Sequence, residues 1–514
     1  MALRASADPD LALLPERISE VPRRWALETP DALALRDGES EWTYGRLAVA
    51  IDEAKNHLGL CGVRPGDRVV VVNENCMAVV AILFAVAELD AWVVLTNARL
   101  TAREIDGIAE NSGARLTLFT HTISADAEIH AIRLSATRQL WGSLGEISVG
   151  LLSETCEPES VCKSGAEQVA ALVYTTGTTG NPKGVMLTHH NLLHVATVSA
   201  KLRHLTNSDR AYGVLPISHV YGLASVTLGT LSAGACLQVA ARFSAAAAAN
   251  ALMIDGITVF QGVPAMYAKL IEHVAEDEKF SAPKLHFTYA GGSPLDPALK
   301  ARAEARLGLT LHNGYGLTES SPTVSQTRLD RPRRDCSVGE VIPGIRVRTV
   351  NSQGVDVGIG EPGELWVNGP NVMKGYYRDP ESTARVIRDG WLNTGDIATI
   401  AADGAMFIVG RTKELIIRSG FNVYPVEVEA VLNSHPAVSQ SAVVGRSVTD
   451  NEEVVAFVEL KPGLVATGDE IGLYVSDLLS PYKRPSEIII MPVLPAAATG
   501  KILKKKLKEM AQRH

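Results

Sequence analysis

Residues 174–184, YTTGTTGNPKG, have the composition of an anion-binding loop. Glycines at 177, 180 and 184 let backbone N–H groups approach an anion closely. Thr175, Thr176, Thr178 and Thr179 add hydroxyl donors, and Lys183 adds a point charge. The run follows an apolar stretch, 171–174, and leads to Thr188, a suitable cap for a helix over 191–202. A polyphosphate cradle between a buried strand and a helix is the chemistry this arrangement supports. The spacing is not that of a P-loop, because GxxxxGK[ST] needs glycine at 182, where Pro182 stands. Kinase and P-loop ATPase chemistry therefore lose their main support.

The elements that must hold this loop are legible on both sides of it. Residues 68–72 (RVVVV) predict a buried strand, 76–89 a helix, 91–95 a strand, 101–110 a helix and 116–119 a strand. The alternation resumes at 171–174, 212–215, 236–239, 258–263 and 286–290. Such βα alternation implies parallel sheets, so two α/β halves are expected with 143–164 as a loose connector. From about 335 to 410 glycine and proline punctuate short runs at 345–350, 363–367 and 406–409, which predicts a barrel-like antiparallel β-subdomain. Residues 411–514 predict a small α+β domain, with helices at 424–432, 469–479 and 502–512 and strands at 441–444, 454–460 and 487–491. Lys504, Lys505, Lys506 and Lys508 in the last helix read as a solvated basic end.

Composition sets the outer bounds. A chain of 514 residues, 46% apolar and 21% charged, can bury large cores and is neither disordered nor a disulfide scaffold. The net charge of −8 gives no reason to expect a nucleic-acid partner. The longest apolar run, 77–87, is about half the ~20 residues of a membrane helix, so no integral membrane segment is expected. Cys61, Cys76, Cys156, Cys162, Cys236 and Cys336 form no CxxC pair, and residues 1–10 contain no leader-like apolar stretch. A cytoplasmic enzyme is the resulting expectation.

Four further motifs follow the first in order: NGYGLTES (313–320), WLNTGD (391–396), GRTKELIIRSGFNVYP (410–425) and PAAATGK (495–501). Together the five resemble the adenylate-forming acyl-CoA synthetase family. The resemblance implies a large N-terminal domain, 1–410, and a small swivelling C-terminal domain, 411–514. It implies ATP, Mg²⁺ and coenzyme A as reactants. In such enzymes a carboxylate attacks the α-phosphate of ATP to give acyl-AMP and pyrophosphate, and CoA thiol then displaces AMP. By resemblance Thr175, Thr176, Gly177, Thr178, Thr179, Gly180 and Lys183 hold the β- and γ-phosphates. Glu319 holds the metal, with Thr318 beside the α-phosphate. Adenosine would lie among Gly291, Gly292, Ser293, Asn313, Gly314 and Tyr315, with Asp396 on the ribose diol and Arg411 assisting it. Lys501 would contact both the attacking carboxylate and the phosphate. The residues just before it, Ala496–Ala498, depart from the basic or polar residues often found there. Lys413 is the implied hinge, and Ser419, Gly420 and Phe421 would line the thiol tunnel.

The same carry-over builds the acyl pocket from His219, Tyr221, Gly222, Val263, Met266, Ala290 and Gly316, beside the segment 321–324. The set is mostly apolar and contains no arginine, so an aromatic or medium- to long-chain fatty acid is expected and malonate is disfavoured. A free-standing adenylation enzyme that passes its acyl group to a carrier protein is the alternative. Monomer and homodimer both remain open.

Overall fold

The computed structural model describes residues 3–4, 13–176, 182–275, 279–419, 421–448, 451–496 and 502–513. Two mixed sheets, flanked by helices, make up most of the chain before residue 345. The first places its strands in the order Gly375–Tyr376, Pro182–Thr188, Val169–Thr176, Trp92–Asn97, Arg68–Asn73, Leu116–Phe119, Glu146–Val149 and Thr137–Leu140. Arg68–Asn73 is its parallel centre, pairing with Trp92–Asn97 on one side and Leu116–Phe119 on the other. A strand covered on both faces must be apolar throughout, which is why RVVVV carries no alternation. The following helix, Met77–Glu88, buries Val79 through Ala87 without a polar face.

The second sheet runs Glu340–Val341, Thr323–Gln326, Leu311–Gly316, Phe287–Ala290, Val259–Gly262, Arg210–Gly213, Cys236–Val239, Leu33–Asp37 and Ser40–Thr43. Its edge is thus supplied by residues that precede the first sheet in sequence, so the two halves are interleaved. One core of aliphatic and aromatic side chains spans both sheets, from Ile51 and Val71 to Leu223 and Phe287. A third sheet pairs Arg346–Val350, Gly363–Asn368, Trp391–Ile400 and Met406–Arg411 antiparallel, with Leu3–Arg4 and Ile387–Arg388 at its ends. After Arg411 come a hairpin, Ile416–Arg418 with Phe421–Val423, and a sheet of Val438–Val448, Asn451–Leu460 and Glu487–Met491. That sheet carries separate apolar clusters on its two sides, built around Val443, Val454 and Ile471 and around Phe457 and Leu507.

Three expectations need correction. Residues 143–164 are not all loose connector, because Glu146–Val149 is a strand pairing with Leu116–Phe119 and Thr137–Leu140. Residues 182–188 are a strand, Pro182–Thr188, antiparallel to Val169–Thr176. Only after this second strand does Thr188 cap the helix His189–Leu202, reciprocally with Asn191. Finally, Lys504 is not solvated, since its ammonium sits 2.7 Å from Glu429 and 3.2 Å from Glu414.

Candidate active site

The hairpin strand Pro182–Thr188 aligns Lys183 opposite Thr175, and its outer edge pairs with Gly375–Tyr376 through Val185 and Met186. This pairing decides what surrounds Lys183. Its Nζ donates to Ser382 Oγ at 2.6 Å, lies 3.7 Å from Asp379 Oδ2, and stands 4.8 Å from the Tyr376 ring centroid. Asp379 caps the helix Pro380–Val386, so both the carboxylate and Ser382 are fixed by one N-terminal turn. The Tyr376 hydroxyl donates to Glu319 Oε1 at 2.8 Å. Lys183 and Glu319 are thereby drawn to one aromatic side chain. Burial, then the Glu319 charge, hold the Tyr376 hydroxyl above its ordinary pKa, so it remains a donor.

Glu319 sits in a short helical turn, Thr318–Ser320, directly after the Leu311–Gly316 strand. The backbone N–H of Met373 donates to the Glu319 carbonyl at 2.9 Å, and Ser321 Oγ donates to the Asn371 carbonyl at 2.8 Å. Asn371 Nδ2 returns a bond to Thr323 O at 3.0 Å. The 371–376 segment therefore clamps the turn that carries Thr318 and Glu319. Among the described residues no group of three His, Cys, Asp or Glu side chains could hold a metal. A single half-buried carboxylate suits Mg²⁺, which keeps water and phosphate oxygens as its other ligands.

A second cluster forms where Trp391–Ile400 pairs with Met406–Arg411 and sets Asp396 opposite Arg411. Arg411 Nε lies 3.0 Å from Asp396 Oδ1, and the Tyr315 hydroxyl donates to Oδ2 at 2.5 Å. Burial, then Asp396, raise the Tyr315 pKa. Asn313 spends its amide on the carbonyls of Cys336 and Ser337, each at 3.2 Å. Gly314 and Gly316 are required by the protein itself. A Cβ at 314 would fall 1.8 Å from the Tyr289 hydroxyl oxygen, and one at 316 would fall 1.8 Å from Pro322 O.

Two family models match this chain: the AMP-binding enzyme model over residues 22–377 and the AMP-binding enzyme C-terminal domain over 427–501. The chain belongs to the AMP-binding enzyme family. It is 35% identical over 489 residues to feruloyl-CoA synthase from Amycolatopsis sp, covering 94% of this chain and 96% of that one. It is 33% identical to 2-succinylbenzoate–CoA ligase from Geobacillus kaustophilus, with the same coverage. Among solved structures it superposes on o-succinylbenzoate CoA synthetase from Bacillus subtilis in complex with the acyl-adenylate intermediate, at TM-score 0.81 and 26% identity. That match covers 95% of this chain and 97% of the other.

Within this AMP-binding enzyme, Tyr221 and Val263 of the expected acyl residues lie against the 291–292 glycines. Tyr221 opens a buried π-helix, Tyr221–Leu228, and packs edge-on to Tyr289 at 6.1 Å. A Cβ at Gly291 would meet both rings, at 3.2 and 3.3 Å, and one at Gly292 would meet Val263 at 3.6 Å. Gly222 has no room for any side chain, since its Cβ would lie 2.1 Å from Pro216 O. His219 Nδ1 accepts from the Tyr221 N–H at 3.2 Å, which orients its ring against that turn. Ala290 is buried, and Met266 lies one side chain from Gly262.

The C-terminal residues have a different setting. Lys413 lies in an exposed turn where Thr412 N–H donates to Gly395 O at 2.9 Å. Ser419, at φ 52°, donates its N–H to Asn451 Oδ1 at 2.7 Å. Phe421 is exposed and stacks on Tyr482 at 4.7 Å. Lys501, Gly177, Thr178, Thr179, Gly180 and Gly420 lie outside the described residues, as does the Thr176 side chain.

Tyr376, Asp379, Ser382 and Arg203 were missed from sequence. The first three stand in GYYRDPES (375–382), where a Gly-Tyr strand pairing into the hairpin was the available signal. Arg203 resembles an ordinary basic helix end, and only its burial reveals otherwise.

Proposed function

We propose that this AMP-binding enzyme is an AMP-forming CoA ligase of aromatic carboxylic acids. Carboxylate–CoA ligation through acyl-AMP is its reaction class, consuming ATP and CoA. The observation that carries the aromatic substrate is the aromatic wall: Tyr221 edge-on to Tyr289, with Val263 in the same apolar cluster. Planar rings favour such offset and edge contacts. The similarity to a feruloyl-CoA synthase and a 2-succinylbenzoate–CoA ligase supports the same reading.

In the first step the substrate carboxylate oxygen forms a bond to the α-phosphorus and the bond to pyrophosphate breaks. Lys183, oriented by Ser382 and Asp379, is assigned to the leaving phosphates together with the 175–180 loop. Thr318 is assigned to the α-phosphate. Glu319 would hold a magnesium ion, which would supply charge neutralisation on the phosphates. Tyr376 fixes the Glu319 carboxylate at one oxygen. Asp396 and Tyr315 are assigned to the ribose and base, with the glycines 291, 292 and 314 and Ser293 and Asn313 around them. Lys501 is assigned to the carboxylate and phosphate. In the second step the CoA thiolate forms a bond to the acyl carbon and the bond to AMP breaks, with Ser419, Gly420 and Phe421 lining the thiol path. We place the hinge at Lys413, between an N-terminal domain, 1–410, and a C-terminal domain, 411–514. All six cysteines are thiols, which supports a reducing, cytoplasmic setting.

A pyrophosphate-release screen over cinnamate, benzoate, octanoate, acetate and malonate, with and without CoA, tests the reading. Aryl acids should exceed acetate and malonate by about 10² or more in kcat/KM, since each buried carbon contributes about 0.8 kcal/mol. A higher value for octanoate or malonate than for every aryl acid overturns it. Aryl acids that release pyrophosphate but yield no CoA thioester would favour a carrier-protein acceptor.

A further inference from the structure

Arg203 ends the helix His189–Leu202 with a guanidinium that is fully buried. Its Nη1 donates to Gln261 Oε1 at 2.6 Å and to the Ser225 carbonyl at 3.1 Å, and its Cζ lies 4.7 Å from the Tyr289 ring centroid. All these partners are neutral. Nε and Nη2 have no hydrogen-bond partner among the described residues, nor do Gln261 Nε2 and the Tyr221 hydroxyl, and all four atoms are buried. An unpaired buried cation is costly, and natural interiors pair such groups. Here Nη1 and one face are satisfied by the protein, and the Tyr289 hydroxyl lies close to the guanidinium. The remaining edge, Nε with Nη2, is a fork that matches the two oxygens of a carboxylate.

The position of this fork relates it to the acyl pocket. Tyr289 is packed against Tyr221 on one side and under Arg203 on the other. Both tyrosine rings lie directly below Gly291. Gln261 belongs to the strand Val259–Gly262 that leads into Val263. From the glycine loop inward, the order is glycines, tyrosine pair, guanidinium. We propose that Arg203, with Gln261 and the Tyr221 hydroxyl, recognises a second carboxylate at the far end of the aromatic acyl substrate. This rests on the aromatic reading above and narrows it to diacids whose two carboxylates are separated by a ring. The short span of malonate places both of its carboxylates on the reacting side of the tyrosine pair.

The test is kcat/KM for cinnamate, 4-hydroxycinnamate and 4-carboxycinnamate with the wild-type enzyme, Arg203→Met and Arg203→Lys. A site whose buried donors need an acceptor discriminates strongly against an analogue lacking one. The wild type should favour 4-carboxycinnamate over cinnamate by about 10² or more. Arg203→Met should bring that ratio near one while leaving cinnamate within about tenfold of wild type. Arg203→Lys, which keeps the charge and loses the fork, should retain an intermediate ratio. If Arg203→Met does not fold, the wild-type series and Arg203→Lys still decide the matter. A wild-type ratio near one, or equal loss for all three acids in a folded variant, overturns the proposal. A preference for 4-hydroxycinnamate over both others overturns the carboxylate. Activation of octanoate and of none of the three aryl acids overturns the aromatic reading itself, and this inference with it.

Discussion

The two ends of the proposed reaction are built differently. Around Lys183 and Glu319, three chain segments far apart in sequence are locked by side-chain bonds: Lys183 to Ser382, Tyr376 to Glu319, Ser321 to Asn371. Around Ser419 and Phe421, the bonds and ring contacts run to Asn451 and Tyr482, within the same small C-terminal segment. Ile417 and Phe421 on that hairpin are exposed apolar side chains. Chemistry on phosphates needs charges held in advance of the reaction. A thiol path can instead be delivered by a unit that carries its own internal contacts and meets the site only when needed. Changes on one side should therefore damage one half-reaction and spare the other.

The largest separation is expected from Glu319→Gln. The substitution keeps size and the Tyr376 contact but removes the charge assigned to magnesium. Pyrophosphate release should fall about 10²-fold, while thioester formation from synthetic acyl-AMP and CoA should change by less than about threefold. Single-turnover assays of the two half-reactions measure this directly. Equal losses in both would mean that Glu319 supports a common structure.

Much of the frame was legible before the structure. The 68–72 run became Arg68–Asn73 because a strand buried on both faces carries an unbroken apolar run, and 116–119 became Leu116–Phe119 with Thr117 half-buried. The helix expected over 101–110 is Ala102–Ser112, which Thr101 and Glu104 start with a capping box. Pro182–Thr188 was hidden because Pro182 and Gly184 read as loop, although proline is tolerated at the first position of a strand. Tyr376 was hidden for a different reason. Its importance comes from pairing between segments almost 200 residues apart, as in the Lys183–Ser382 bond with a separation of 199, and no local pattern records such a meeting. Arg203 was hidden because a basic residue at a helix C-terminus is ordinarily a solvated partner of the dipole.

A smaller separation in the opposite direction is expected from Lys413→Pro. Lys413 lies in the exposed turn between Arg411, held to Asp396, and the hairpin that begins at Ile416. Fixing φ near about −65° at this point limits the swivel assigned to it. Thioester formation from acyl-AMP should fall about tenfold, with pyrophosphate release within about threefold of wild type. Loss of pyrophosphate release alone would place the hinge elsewhere.

An effect of similar size, and the sharpest on the adenylation side, belongs to Tyr376→Phe. Phenylalanine keeps the ring beneath Lys183, so the 4.8 Å cation–π contact and the apolar packing survive. Only the hydroxyl that holds Glu319 Oε1 at 2.8 Å is lost. A hydrogen bond to a charged group contributes about 1.5–3 kcal/mol, and water can replace part of it at a half-buried carboxylate. Adenylation should therefore slow about tenfold, with the apparent magnesium requirement shifted upward because Glu319 is no longer pre-positioned. A merely structural role would lower activity at every magnesium concentration alike. Recovery toward the wild-type rate at high magnesium identifies the hydroxyl as a positioning group, and a Tyr376→Phe enzyme with unchanged magnesium dependence would remove Tyr376 from that role.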